Sequence, residues 1–174
     1  MESKKLALGS GLKNYDGYIR VDINSLSNPD VVQDLNVFPY PFSDDEFDEI
    51  IAEHVVEHLN DFFATLQELH RIIKPGGKIT IITPHYSSLY SWTDPTHKTH
   101  LSSFSLDFWG HGYYSQAKFK TSVKVSFPYT WRRFGIEKWV NSSEKARSMW
   151  ERHFSFIFRA LDLEFILYPV KPLA

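Results

Sequence analysis

His85 directly follows the run "KITIITP", and Asp94, His97 and His100 come within the next fifteen residues, with His111 further on. Imidazole changes charge near neutrality, so a histidine in such a place can take the proton of a hydroxyl nucleophile. His85, at the end of a candidate strand, is the first choice for that base. His97 and His100 come next, with Asp94 to orient one of them. The Asp-x-x-His-x-x-His spacing could also converge on a metal, although no resident metal is assigned. The plain alternative is a surface loop in which Asp94 caps a turn and the histidines pack on aromatics. Upstream, His54-x-x-Glu57-His58 has the spacing with which some zinc hydrolases present two histidines and a glutamate base. Here the segment follows a candidate strand directly, so Glu57 and His58 read better as a capping or packing pair.

A third group lies at the start of the chain. The apolar run Leu6 to Leu8 ends in Gly9-Ser10-Gly11, and a second run from Tyr18 to Ile23 carries Asp22 near its end. Glycines let the backbone approach a ligand closely, and a carboxylate at the tip of the neighbouring strand can accept from both hydroxyls of a ribose. A tight turn beside a solvated Asp would look the same on these residues alone.

The first half of the chain alternates short β-branched runs with turns and one helix, the pattern of a mainly parallel sheet that could hold these groups along one edge. Strands are expected over 6–8, 18–23, from Val31-Val32, and over 47–52. Phe62, Leu66, Leu69 and Ile73 fall at helical spacing, with Asn60 or Asp61 as cap and Pro75-Gly76-Gly77 as the stop. Lys78 to Thr83 reads as a strand buried on both faces. Residues 84–118 read as a cover over a site, with one short helix near Ser103 to Trp109. A strand over 119–129 follows. Next comes a helix capped by Asn141 with Glu144, whose buried stripe of Met149/Trp150, His153/Phe154, Ile157 and Leu161 carries it to about Leu161. A last strand, over 163–170, is expected antiparallel at the sheet edge. Phe156 and Phe158 fall off the stripe and are expected to meet another subunit or an acceptor surface.

Taken in order, the motifs over residues 6–85 resemble the class I S-adenosylmethionine-dependent methyltransferases, of the type-11 kind. A first strand leads to a glycine loop, an acidic residue ends the second strand, and an Asp follows the third. A proline-aromatic segment then precedes "FD", "EHVVEHL" follows the fourth strand, and "IKPGG" precedes the fifth. The resemblance implies a Rossmann-like, doubly wound α/β fold and S-adenosylmethionine as cofactor. It implies that Gly9, Ser10 and Gly11 line the methionine and ribose portion, that Asp22 holds the ribose hydroxyls, and that Ile23 packs on the adenine. Asp34 would accept from the adenine amine with Leu35 beside it, and Glu53 and His54 would lie near the methionine. Ala7 replaces the acidic residue common in the first strand. Only ten residues separate Gly11 from Asp22, so the first crossover must be abbreviated. The segment "SWTDPTHKTHLSSF" looks like ones in methyltransferases of saccharide and natural-product pathways.

The 174 residues contain 43% apolar and 23% charged positions, which suits one domain over 1–174, with a cofactor-binding half over 6–85 and a covering loop plus C-terminal half over 86–174. The absence of cysteine excludes disulfide frameworks and thiolate chemistry, and no apolar run spans a membrane, so a cytoplasmic enzyme is expected. Residues 1–84 hold 7 Lys and Arg against 14 Asp and Glu, whereas residues 85–174 hold 12 against 7, together with 20 of the 28 aromatic residues. The second half therefore suits an acceptor, or an anionic surface, better than the first. No nucleic acid partner is expected, because the chain is slightly acidic and has no RNA-binding module. The expected activity is methyl transfer to a small or saccharide-like acceptor, most naturally at oxygen, with a homodimer allowed. The alternatives are a degenerate methyltransferase-like binding module and zinc hydrolysis through His54, Glu57 and His58.

Overall fold

Leu6, Ala7 and Leu8 are buried because β1 (Lys5–Leu8) lies inside the sheet, paired in parallel with β2 (Tyr18–Asp22) on one side and β4 (Phe47–Glu53) on the other. With β3 (Val31–Val32), β5 (Ile73–Pro84), β6 (Phe119–Val125) and β7 (Asp162–Pro169), they form one seven-stranded sheet in the order β3-β2-β1-β4-β5-β7-β6. This computed structural model describes residues 3–107 and 117–171. The antiparallel edge is formed by β7 with β6. The last strand stands one place in from the rim, antiparallel to both neighbours, and β6 takes the edge. Because β1 to β5 run in parallel, Gly9, Asp22, Gln33, His54 and His85 all emerge at one edge of the sheet. Asp162 joins them there by pairing with Pro84.

The connection from β1 to β2 consists of turns, in keeping with its shortness. The row Lys5–Glu49–Lys78, whose ion pairs span 3.3 and 2.8 Å across three strands, stays partly open to water. β5 consequently alternates buried and half-buried positions from Lys78 to Thr83 instead of being buried on both faces. Within it, Ile79 and Ile81 point to the core and Thr80 and Ile82 to the more open side.

Helix α1 (Phe62–Ile72) starts at Asp61, whose carboxylate accepts from the Ala64 amide at 2.8 Å, a cap of about 1 kcal/mol. It buries Leu66, Leu69 and Ile72 completely, each contributing about 1.5–3 kcal/mol. The helix stops at Ile72, before Pro75-Gly76-Gly77, because Ile73 already turns extended to pair with Phe47. The Pro-Gly-Gly segment is absorbed as an irregularity inside β5, between the pairs Phe47–Ile73 and Glu49–Lys78.

The second half departs further from its periodicity. A short helix, α2 (Tyr90–Thr93), forms in the covering loop, while residues 103–106 are turns and positions 108 and 109 of the expected Ser103–Trp109 helix lie outside the described residues, as does His111. The strand expected over 119–129 ends at Val125, since Tyr129 opens α3 (Tyr129–Arg133), followed by α4 (Ile136–Val140). Helix α5 (Glu144–His153) is capped by Ser143, which accepts from the Ala146 amide; Asn141 instead pairs with the backbone N–H and C=O of Val125. It ends at His153 rather than near Leu161. Only Trp150 of the expected stripe is fully buried, whereas Met149 and Ile157 are exposed. The Trp150 indole donates to the Phe158 carbonyl at 3.0 Å, which holds the chain in the turns that follow. Phe156 is exposed, but Phe158 packs on Trp131 and Phe154, so the two aromatics do not form one free surface. No helix of the described residues is long and apolar enough to cross a membrane.

Candidate cofactor and acceptor site

Five of the residues singled out in the sequence line one cleft of ≈ 260 Å³ at the carboxyl edge: Gly9, Asp22, Ile23, Asp34 and Leu35. Val55, His58 and Leu59 line it as well. Gly9 has φ +58°, and a Cβ there would stand 2.4 Å from Val55 Cγ2, so this position allows only a bare backbone. Asp22 is held from both sides, accepting from the Gly11 amide at 2.6 Å on Oδ2 and from the Asn24 amide at 2.8 Å on Oδ1. Each oxygen keeps a further lone pair, so the pinned carboxylate can still accept from two hydroxyls. Asp34 does build a turn, with Oδ1 accepting from the Asn36 amide, yet its other oxygen is free among the described residues. Ile23 is 64% exposed at the cleft, a large apolar surface left for a flat ring to cover.

The loop that follows Gly9 leaves a polar group unmet. Ser10 is buried and its Oγ has no hydrogen-bond partner among the described residues. Gly11 has φ +52° with nothing within 4 Å of where a Cβ would stand. An unpaired buried hydroxyl beside open space is costly unless a bound group meets it. The residues present therefore fit a nucleoside with a polar extension.

At the end of β4 the two predicted methionine-side residues diverge. Glu53 shares a sheet face with Glu49 and bonds the Lys13 ammonium and, at 3.0 Å, the Tyr15 hydroxyl, which straps the glycine loop down. Burial pushes its carboxyl up, but these two partners outweigh that and hold it below its ordinary range. His54 takes the left-handed conformation, φ +53°, with a half-exposed ring between Glu57 (3.5 Å) and Asp162 (3.9 Å). The Glu57 carboxylate raises its pKa against the opposing effect of burial, and Asp162 raises it further. Asp162 is itself raised, chiefly by burial. Thus an ionisable imidazole faces solvent at the carboxyl edge among three acidic groups.

His85, the first choice for a base, is withdrawn by the structure. It is completely buried, with Nδ1 accepting from the Ser87 amide at 3.0 Å, so Nε2 carries the proton and points to Glu151 at 3.4 Å. A base must reach the proton it removes, and this ring is enclosed by Tyr86 and Trp150. Asp94, His97 and His100 do not converge as a trio. His97 lies 4.0 Å from Asp94, while His100 stacks on Trp92 with ring centres 3.8 Å apart and bonds Ser91. His54 and His58 do not share a helical face either, because His54 is left-handed and Val56–His58 is a 3-10 turn, which removes the geometry of the zinc hydrolase reading.

Sequence reasoning missed Asp162 and the part His58 plays in the cleft wall. Asp162 carries no local signal, since its place depends on β7 inserting beside β5. The pattern "EHL" could have pointed to His58. A larger hollow of ≈ 730 Å³ lies between Tyr86, Phe104, Glu151 and Phe156, and shares no lining residue with the carboxyl-edge cleft.

Residues 18–81 match the family model described as a methyltransferase domain. The chain is 34% identical over 56 residues to demethylmenaquinone methyltransferase of Corynebacterium efficiens, an alignment that covers 29% of this chain and 24% of that protein. It is 36% identical over 55 residues to 2-phytyl-1,4-naphtoquinone methyltransferase of Nostoc punctiforme, covering 32% and 24%. The matches thus span about a quarter of the length of these curated relatives. Among solved structures, a SAM-dependent methyltransferase from Archaeoglobus fulgidus superposes with a TM-score of 0.66 at 22% identity, covering 95% of this chain and 85% of that one. An S-adenosylmethionine-dependent methyltransferase from Mesorhizobium loti gives 0.58 at 12% identity, covering 94% and 89%. At these identities the likeness is one of fold. Matched segment and strand order agree: residues 18–81 resemble the methyltransferase domain in sequence, and the described residues share the Rossmann-like fold of these S-adenosylmethionine-dependent methyltransferases.

Proposed function

We propose that the chain binds S-adenosylmethionine in the carboxyl-edge cleft and transfers its methyl group to a hydroxyl of a small, saccharide-like acceptor, with His54 as general base. The observation that carries this reading is that Asp22 and Asp34 line one cleft together with Ile23 and Leu35. Asp22 accepts from the ribose hydroxyls, and the free oxygen of Asp34 accepts from the adenine amine. Ile23 and Leu35 pack on the purine, while Gly9, Ser10 and Gly11 receive the ribose and methionine portion. Glu53 holds the loop through Lys13 and Tyr15. When bound, the sulfonium cofactor supplies an electrophilic methyl carbon. His54 would take the proton of the acceptor hydroxyl as that oxygen is methylated, so the chain's own residues mainly align the acceptor with the methyl carbon and accept that proton.

A polar acceptor is favoured over a flat apolar one by the groups around His54. Glu57 and Asp162 stand beside it and Glu53 precedes it, so acceptors of hydrogen bonds abound where hydroxyls would be presented. The quinone named for two relatives would need an aromatic wall, and the aromatic hollow at Tyr86 and Phe156 shares no lining residue with the cleft. The test is transfer of labelled methyl from S-adenosylmethionine to a panel of sugars, phenols and quinols. Labelled sugar ethers, lost in His54→Ala with cofactor binding kept, are the expected result. Labelling of quinols alone would overturn the acceptor class.

A further inference from the structure

Glu57 is 1% exposed, and while its Oε2 accepts from the Thr83 hydroxyl at 3.1 Å, its Oε1 makes no close hydrogen bond among the described residues and has His54 Nδ1 only at 3.5 Å. One carboxylate oxygen of Glu57 and one ring nitrogen each of His58 and His97 lie within 4.8 Å of one another. The covering loop brings His97 there by capping the carbonyl of Glu57 with the amides of Lys98 (2.7 Å) and Thr99 (3.2 Å).

The outer hydrogen bonds settle both imidazoles. The Thr96 hydroxyl has one proton and donates it to Asp94 at 2.6 Å, so His58 Nδ1, 2.9 Å from the same oxygen, must be the donor. His97 Nδ1 lies 3.1 Å from the Ser91 carbonyl, which can only accept. Both rings therefore carry their proton on Nδ1 and keep the Nε2 lone pair for a ligand. A ring N–H given to an oxygen acceptor, with the other nitrogen left bare, is how metal-bound histidines are oriented.

We infer that Glu57, His58 and His97 form a binding site for a divalent transition cation of the Zn²⁺, Co²⁺ or Ni²⁺ class. Two nitrogens and one carboxylate favour these over Mg²⁺ or Ca²⁺, which prefer all-oxygen shells. Around four-coordinate Zn²⁺ with bonds of about 2.0–2.1 Å, donor atoms stand roughly 3.4 Å apart, so a set spread over 4.8 Å needs to close by about 1.4 Å at most. Asp94, 4.0 Å from His97, or water completes the shell. The donors come from both histidine motifs of the sequence but from neither alone, since His54 and His100 stay outside. Because His58 also lines the cofactor cleft, the cation clasps the covering loop to the cleft wall.

The experiment titrates the full chain, stripped of metal and free of S-adenosylmethionine, with Co²⁺, so that its outcome is independent of the proposed methyl transfer. Visible absorption bands of low-coordinate Co²⁺ saturating at one per chain, bleached by Zn²⁺ and not by Mg²⁺, are expected. His58→Ala and His97→Ala should each weaken Co²⁺ by at least about tenfold, with His100→Ala unchanged. Circular dichroism of the metal-free variants checks the fold, and His97→Gln, similar in size and able to donate to the Ser91 carbonyl as His97 does, replaces any variant that fails it. Absence of the bands, or bands of equal affinity in His97→Ala or His97→Gln, would overturn the site.

Discussion

His85 Nε2 and Glu151 Oε1 stand 3.4 Å apart inside the protein, joining the end of β5 to α5 across a gap of sixty-six residues in sequence. Ser103 completes the arrangement by donating to Glu151 from both its amide and its hydroxyl. The histidine therefore holds the C-terminal half on the sheet. His85→Ala should cost about 2–4 kcal/mol, because it leaves a buried carboxylate short of a partner, and should leave cofactor affinity unchanged in the folded fraction. Urea unfolding followed by calorimetry on the same sample checks both parts.

The same network sets a response to acid. Burial pushes the Glu151 carboxyl up, yet the hydrogen bonds from His85 and Ser103 win and hold it below the ordinary glutamate range. A carboxyl lowered by folding adds stability that is present above its unfolded pKa and lost as pH falls through the folded one. Melting temperature should thus fall below about pH 4 in the parent, and the fall should be smaller in Glu151→Gln, which starts lower. Parallel curves for the two proteins would contradict the assignment.

Two glycines two residues apart should respond differently. At Gly9 a methyl group meets Val55 and the backbone is left-handed, so Gly9→Ala should destabilise by about 2–4 kcal/mol. At Gly11 the space is open and only the backbone is strained, by about 1 kcal/mol, but the methyl would occupy the ligand's side of the loop. Gly11→Ala should therefore fold and lose cofactor affinity. Denaturation midpoints and titration calorimetry separate the two outcomes.

His54 sets the pH dependence of turnover. Its pKa is raised by the Glu57 carboxylate and then by Asp162, against burial, so the unprotonated form that can accept a proton appears only above the ordinary imidazole value. The rate should rise with pH through that raised value. Asp162→Asn removes one raising charge and should move the inflection down, toward lower pH. An inflection unmoved by Asp162→Asn would exclude His54 as the titrating group.

The parallel strands and the turns at their carboxyl ends are legible in the sequence because their signals are local. Leu6–Leu8 before Gly9, and Asp22 and Asp34 after their strands, each state their surroundings within a few residues. Asn60 and Asp61 likewise mark the helix start, and the structure uses Asp61 as the cap. What escaped depends on distant pairing. His85 reads as an exposed base at a strand end until α5 brings Trp150 and Glu151 over it. Asp162 acquires its place beside His54 only because β7 inserts between β5 and β6. The helix that the sequence starts at Asn141 and carries to Leu161 ends at His153, because aromatics continue at helical spacing beyond that point while the Trp150–Phe158 hydrogen bond favours turns instead.

The most direct measurement is calorimetric titration of the full chain and of Asp22→Ala with S-adenosylmethionine. Asp22 is held by backbone amides and lies in no apolar core, so its loss should spare the fold. One-to-one binding by the parent, weakened at least about thirtyfold in Asp22→Ala and less in Asp34→Ala, is predicted from two lost hydrogen bonds to a charged group. No heat with the parent at high cofactor concentration would instead make the chain a binding module with a methyltransferase fold, and equal affinity in Asp22→Ala would place the cofactor elsewhere.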